Sequence, residues 1–158
     1  MGGADYMGEP VRVAPATAAD AEDWIAMRTA LWPRGGDGQH AADIARLLVD
    51  AGETINLIAR DVDGLALGFA EAALRHDYVN GCRTSPVAFL EGIFVTPEAR
   101  GRGVARALVK AVEAWAQERG CTEFASDCDI NNQQSQRMHA ALGFAETQRV
   151  VLFRKVLG

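Results

Sequence analysis

The stretch Thr96-Pro97-Glu98-Ala99-Arg100-Gly101-Arg102-Gly103-Val104-Ala105 has the residue types of an anion cradle. Glycines let successive backbone N–H groups turn toward one point, a following helix adds partial positive charge at its N-terminus, and Arg100 and Arg102 can supplement both, so a pyrophosphate fits. The stretch is neither a phosphate loop ending in Lys-Ser/Thr nor the dinucleotide pattern G-x-G-x-x-G, and by spacing alone it would serve equally as an ordinary turn. Just before it, Glu91 interrupts the apolar run Val87–Val95. A carboxylate in such a run is costly unless it is paired or functional, so a structural ion pair and a site acid are its two readings. Other chemistries find no support. His40, His76 and His139 are scattered and Asp127-Cys128-Asp129 lacks the spacing of a metal site, so no metal is expected. There is no Gly-x-Ser-x-Gly elbow and no recognisable cysteine nucleophile.

The elements that must position these residues follow from periodicity. Val11–Ala14 alternates as a short strand. Thr17 precedes an acidic turn, Asp20, Glu22 and Asp23, and then Trp24, Met27, Ala30 and Leu31 recur at helical spacing until Pro33. A second helical pattern uses Ile44, Leu47 and Leu48 and ends near Gly52. Ile55–Arg60 and Leu65–Ala73 flank Asp63-Gly64, a hairpin-turn dipeptide. Val87–Val95 predicts a strand buried on both faces, and Gly92 beside Glu91 predicts a β-bulge or a plain kink in it. Val104, Ala105, Leu108, Val112, Trp115 and Ala116 form the apolar stripe of a helix that Gly120 closes. Cys121–Asp127 is the next strand, Asn131–Leu142 the next helix, and Arg149–Val156 a closing strand. The order predicts an α/β fold with a mixed sheet and a parallel step across the Val104 helix.

The chain has 158 residues, 49% of them hydrophobic and 23% charged, which suits one globular domain from about Val11 preceded by a loose tail over residues 1–10. A net charge of −5 makes the whole a poor partner for nucleic acid or anionic lipid. The charge is uneven: 14 acids face 7 bases through Glu91, and 7 acids face 9 bases from Gly92 onward. Such a split suits a protein holding a cation on one side and an anion on the other, although surface solubility alone would also produce it. Three cysteines, with no C-x-x-C pair, fit a reducing cytoplasm. No apolar stretch reaches the length that spans a bilayer, so no membrane is expected.

Arg100-Gly-Arg-Gly103-Val-Ala105 resembles the R/Q-x-x-G-x-G/A loop of the GNAT N-acetyltransferase superfamily, and it lies in the expected strand-to-helix setting. Asn132, Ser135, Met138, His139 and Gly143-Phe144 resemble the superfamily's downstream helix. A narrower likeness spans nearly the whole chain. Leu31-Trp32-Pro33, His76–Gly81, Ser85–Val95, Phe124–Asp127 and Gly143–Thr147 resemble the aminoglycoside 6′-N-acetyltransferases. That resemblance implies a single-domain GNAT fold with helices on both faces of the sheet. It also implies acetyl-CoA as donor, the 6′-amine of an aminoglycoside as acceptor, antibiotic resistance as the consequence, and a homodimer, with the C-terminal strands pairing within or across chains. The runner-up is a GNAT enzyme acting on a polyamine or a protein N-terminus. A non-catalytic acyl-CoA sensor is the alternative outside catalysis.

The resemblance assigns roles residue by residue. Transfer needs a neutral amine, and presenting an ordinary alkyl ammonium neutral at pH 7 costs about 4–5 kcal/mol. A carboxylate that binds the ammonium and accepts its proton meets the need. Asp127 matches the acid that the resembled enzymes use as base, with a helix cap as its other reading. Glu91 is then substrate ligand or alternative base. Arg100, Gly101, Arg102, Gly103, Val104 and Ala105 would hold the pyrophosphate. Ile93 and Val95 would offer backbone hydrogen bonds to the acetyl-pantetheine arm, and an amide near Ile93 would polarise the thioester carbonyl. Asn132 is coenzyme A ligand or helix cap. Trp32, Tyr78 and Glu146 fall on the acceptor side, where the two rings would stack on sugars or belong to the core. His139 stands where many GNAT enzymes carry a Tyr acid, and packing or solvation is its competing reading.

Overall fold

The computed structural model describes residues 10–50 and 52–158 of the chain. The tail expected over residues 1–10 therefore lies outside the described residues except for Pro10. Five strands form one sheet in the order β1-β2-β3-β4-β5: β1 Arg12–Pro15, β2 Thr54–Arg60, β3 Ala66–Arg75, β4 Val87–Val95 and β5 Phe124–Ser126. The first four are antiparallel, and β5 runs parallel to β4 after a crossover. The helices are α1 Ala21–Leu31, α2 Gly36–Val49, α3 Val104–Glu118 and α4 Gln133–Ala141.

Period-2 burial places a helix layer on each face. Leu57, Ala59, Ala70, Ala72 and Leu90 meet the α3 stripe of Val104, Leu108, Val112 and Trp115. Ile58 and Phe69 point the other way, to Trp24 and Met27 of α1 and Ile44 of α2. The α3 stripe sits at i, i+4 and i+8, and its register is held by full burial of Leu108 and Val112. Truncating Leu108 to Ala would cost about 2–5 kcal/mol.

Element boundaries follow local chemistry. A single 3-10 turn, Ala18–Asp20, leads into α1, with Asp20 accepting the Thr17 N–H at 2.8 Å. α1 stops before Pro33, and the Trp32 N–H closes it on the Arg28 carbonyl at 2.7 Å. The β2–β3 connection spans five residues rather than a two-residue turn. Asp61 accepts the N–H groups of Asp63 and Leu65, and Gly64 takes a positive φ of 87°.

Three expectations need correction. β4 is buried only over its first half, Val87–Leu90, whereas Glu91 is exposed and Gly92–Val95 are half-buried. β5 is three residues long because its ladder with β4 ends at Leu90↔Ser126. Arg149–Val156 forms no strand with the described residues, and Val150, Val151, Leu152, Phe153 and Val156 are exposed. An extended segment without a neighbouring edge has no ladder to join.

Candidate active site

The site starts from the way β4 leaves its neighbours. Glu71↔Gly92 and Ala72↔Leu90 are successive pairs across β3 and β4, so Glu91 is the extra residue of a β-bulge. The bulge expected from Glu91-Gly92 is therefore present. Past it, the Gly92–Val95 half of β4 pairs with β3 on one side, while β5 has already ended on the other. Ile93 and Val95 thus lie on a free strand edge, where backbone groups are available to an extended ligand.

Glu91 is not buried. Its side chain is 38% exposed and Arg75 grips it, with Nη2 donating to Oε1 at 2.9 Å and to Oε2 at 3.0 Å. Arg75 itself lies over the Phe89 ring at 3.6 Å. The costly buried carboxylate expected from sequence is resolved by exposure together with an ion pair. Asp127 follows β5 directly, is exposed, and has no hydrogen-bond or ion-pair partner among the described residues. The turn before α4 is instead held by Asp129, which accepts the Asn131 N–H at 2.7 Å. The cap of α4 is Asn132, whose Oδ1 accepts the Ser135 N–H at 3.0 Å. Asp127 has no capping duty, and Asn132 has one.

On the other flank, a 3-10 turn over Pro97–Ala99 precedes the glycines. Ala99 and Val104 are anchored at 1% exposure, whereas Arg100, Gly101, Arg102 and Gly103 are exposed and Ala105 is half-buried. Gly101 and Gly103 adopt φ of 78° and 81°, and no atom lies within 4 Å of a Cβ built on either. No side chain caps α3. Its first-turn N–H groups lack intrahelical partners, which is the arrangement that receives an anion. Arg102 has no hydrogen-bond or ion-pair partner among the described residues, while Arg100 Nε donates to the Val95 carbonyl at 3.2 Å.

Of the residues expected on the acceptor side, Trp32 lies on the bulge, while Tyr78 and Glu146 lie on two segments that meet through Gly81 and Thr147. A Cβ on Gly92 would come within 2.4 and 2.5 Å of the Trp32 indole, so the ring lies flush on the backbone beside Glu91. Trp32 is half-buried and meets Phe69 edge-on at 6.0 Å. Tyr78 is 77% exposed on the loop after β3, which removes its core reading. That loop is tied down twice. Glu123 accepts the N–H groups of Arg83 and Thr84, each at 2.8 Å, and the Thr84 hydroxyl at 2.5 Å. Gly81 packs so closely on Thr147 that a Cβ there would lie 2.3 Å from its hydroxyl. This contact brings the Tyr78 loop against the segment carrying Glu146. Glu146 is exposed and paired with Arg149, whose hydrogen bond holds its carboxyl below the ordinary glutamate range.

His139 is packed and hydrogen-bonded. The Ser135 carbonyl can only accept, so the ring Nδ1–H donates to it at 2.7 Å, and Nε2 lies 2.8 Å from the Ser126 hydroxyl oxygen. Phe144 covers the ring edge-on at 5.2 Å. Sequence reasoning missed Arg75, Ser126 and Glu123. Glu71, which could have been a solvated strand acid, is instead buried against Arg28.

The acetyltransferase (GNAT) family pattern matches residues 21–144. An aminoglycoside N(6′)-acetyltransferase type 1 of Serratia marcescens is 55% identical over 135 residues, covering 85% of this chain and 92% of that protein. The solved AAC(6′)-Iy, in complex with the bisubstrate analogue CoA-S-monomethyl-acetylneamine, is 47% identical. It superposes with a TM-score of 0.88 over 94% of this chain and 99% of its own. AAC(6′)-Ih from Acinetobacter baumannii is 46% identical, with a TM-score of 0.89 over 94% of this chain and all of its own. A free β4 edge, an uncapped α3 and a match over most of the chain agree: the protein belongs to the GNAT acetyltransferase family and is closely related to the aminoglycoside N(6′)-acetyltransferases.

Proposed function

We propose that the protein transfers the acetyl group of acetyl-CoA to the 6′-amine of aminoglycoside antibiotics, by direct attack within a ternary complex, and so confers resistance. The observation that carries this reading is the end of the β4–β5 ladder at Leu90↔Ser126, with a carboxylate next on each strand and an open anion cradle after β4. Direct transfer suits a sequence with no Gly-x-Ser-x-Gly elbow and no recognisable cysteine nucleophile.

Gly101, Arg102, Gly103 and the first amides of α3, Val104 and Ala105 included, receive the pyrophosphate, with Arg100 bracing the loop on Val95. The β4 edge at Ile93 and Val95 aligns the pantetheine arm, and the amide near Ile93 stabilises charge developing on the thioester oxygen. Trp32 and Tyr78 offer faces to the sugar rings, while Glu91, Asp127 and Glu146 attract the polycation. Asp127 takes the proton of the 6′-ammonium, directly or through one water. The freed amine nitrogen attacks the thioester carbon, the C–S bond breaks, the new amide nitrogen gives up its remaining extra proton to solvent, and the thiolate takes one up from solvent. Asn132 shapes the start of α4 and lends its amide NH2 to coenzyme A.

The same reading makes the enzyme a homodimer working in the reducing cytoplasm. The exposed apolar run Val150–Phe153, which finds no strand among the described residues, pairs with a second copy. Free-thiol release from acetyl-CoA tests the activity, with kanamycin, tobramycin, a polyamine and a peptide amine as separate acceptors. Turnover confined to the two antibiotics supports the reading, and turnover confined to the other amines refutes it.

A further inference from the structure

A buried polar cluster lies behind the acceptor wall, between α1, α2 and β3. Arg28 Nη1 donates to both Glu71 oxygens at 2.5 and 2.6 Å, and Nη2 donates to Asp43 at 2.9 Å. Trp24 Nε1 donates to Glu71 as well, at 2.9 Å. The remaining Arg28 donor, Nε, reaches Nδ1 of His40 at 3.1 Å, and His40 is 2% exposed. A guanidinium N–H can only donate, so Nδ1 must accept and the proton of the neutral ring sits on Nε2. Nε2 lies 3.0 Å from the carbonyl oxygen of Trp32 and donates to it. The Trp32 N–H is already closed on the Arg28 carbonyl, and the Arg28 guanidinium lies 4.8 Å from the Trp32 ring centroid. Backbone and ring of Trp32 are thus held by one arginine and the histidine it orients.

We infer that His40, fixed in its Nε2–H form by Arg28, is a positioning residue that sets where the Trp32 indole lies on Gly92 and thereby tunes recognition of the acceptor. The inference rests on the placement of Trp32 in the acceptor wall. A hydrophobic substitute for His40 would fill the space yet leave both the Arg28 Nε–H and the Trp32 carbonyl without their partner. Glutamine can accept from the first and donate to the second. The phosphate cradle lies on a different element, so donor binding is outside the reach of the cluster.

The test measures acceptor KM, acetyl-CoA KM, kcat and Tm for the full-length His40→Leu, His40→Gln and Trp32→Ala proteins. Arg28→Lys is included because it keeps a cation against Glu71 but loses the Nε–H. His40→Leu is expected to raise the aminoglycoside KM by about fivefold or more, with acetyl-CoA KM within about twofold of wild type and His40→Gln near wild type. Arg28→Lys is expected to shift acceptor KM in the same direction, which decides the matter if His40→Leu does not fold. An unchanged acceptor KM in His40→Leu or Arg28→Lys, where Trp32→Ala raises it, overturns the inference. So does a rise in both KM values that follows Tm alone. An acceptor KM unmoved by Trp32→Ala itself removes the acceptor-wall reading on which the inference stands.

Discussion

Glu91 and Asp127 are the first residues beyond the last paired couple of two parallel strands: β4 and β5 match through Leu90↔Ser126, and the next residue on each is an acid. The two are not equivalent. Arg75 holds Glu91 through both its oxygens, whereas Asp127 has no partner among the described residues. An approaching ammonium must displace Arg75 to reach Glu91, whereas the exposed Asp127 is open to it. Asp127→Asn should therefore lower kcat by about 10²–10⁴-fold while leaving the acetyl-CoA KM near that of wild type. Glu91→Gln should act mainly on acceptor KM. Full activity in Asp127→Asn would refute the assignment of the base.

Gly92 makes room for Trp32. Its backbone does not need a left-handed conformation, so the glycine is required by space alone: a Cβ would stand 2.4 Å from the indole and 3.2 Å from Leu31. Gly92→Ala should cost about 1–3 kcal/mol in denaturant unfolding and raise acceptor KM. Removing the indole as well should relieve the clash. The doubly substituted Gly92→Ala/Trp32→Ala protein should thus lose clearly less stability than the two single losses added together, and strict additivity would show that the two do not touch.

Glu123 gives a pH dependence with a definite sign. The Thr84 hydroxyl and the Arg83 and Thr84 amides hold its carboxyl below the ordinary glutamate range. Because the folded value lies below the unfolded one, the linked stability is full above the unfolded value and is lost as pH falls through the folded value. Glu123→Gln should lower Tm at pH 7, and the gap to wild type should close in acid below the ordinary glutamate range. A gap that persists unchanged there would place the effect elsewhere.

The proposed dimer places its contact on the C-terminal segment. Leu152 and Phe153 are 88% and 93% exposed, which is costly unless a second surface covers them. Sedimentation should show a dimer of the 16.9 kDa chain, and Phe153→Asp should shift it to monomer. A wild-type monomer at micromolar concentration would contradict the proposed pairing.

Local chemistry made much of this site legible in the sequence. The glycines and arginines before Val104 announced the cradle, the α3 stripe gave its helix, and Glu91-Gly92 announced the bulge. Asn132 carried its capping signal in its position. Long-range partnerships were not legible. The burial of Glu71 has no local signal, because its partner Arg28 lies 43 residues away on α1. Glu91 looked buried because only the fold brings Arg75 beside it across the β3–β4 pairing. His40 looked isolated for the same reason, its partners being a side chain on α1 and a carbonyl at the end of that helix. Arg149–Val156 carries the apolar run Val150–Phe153 of a strand, but a strand also needs an edge, and composition does not say whose.

The most direct measurement is the structure of the product. Tobramycin incubated with acetyl-CoA and the enzyme should give one equivalent of thiol per acetyl transferred, and NMR of the purified drug should place the new acetyl group on the 6′ nitrogen. Acetylation at another amine of the drug, or thiol release that leaves the drug unmodified, would contradict the account.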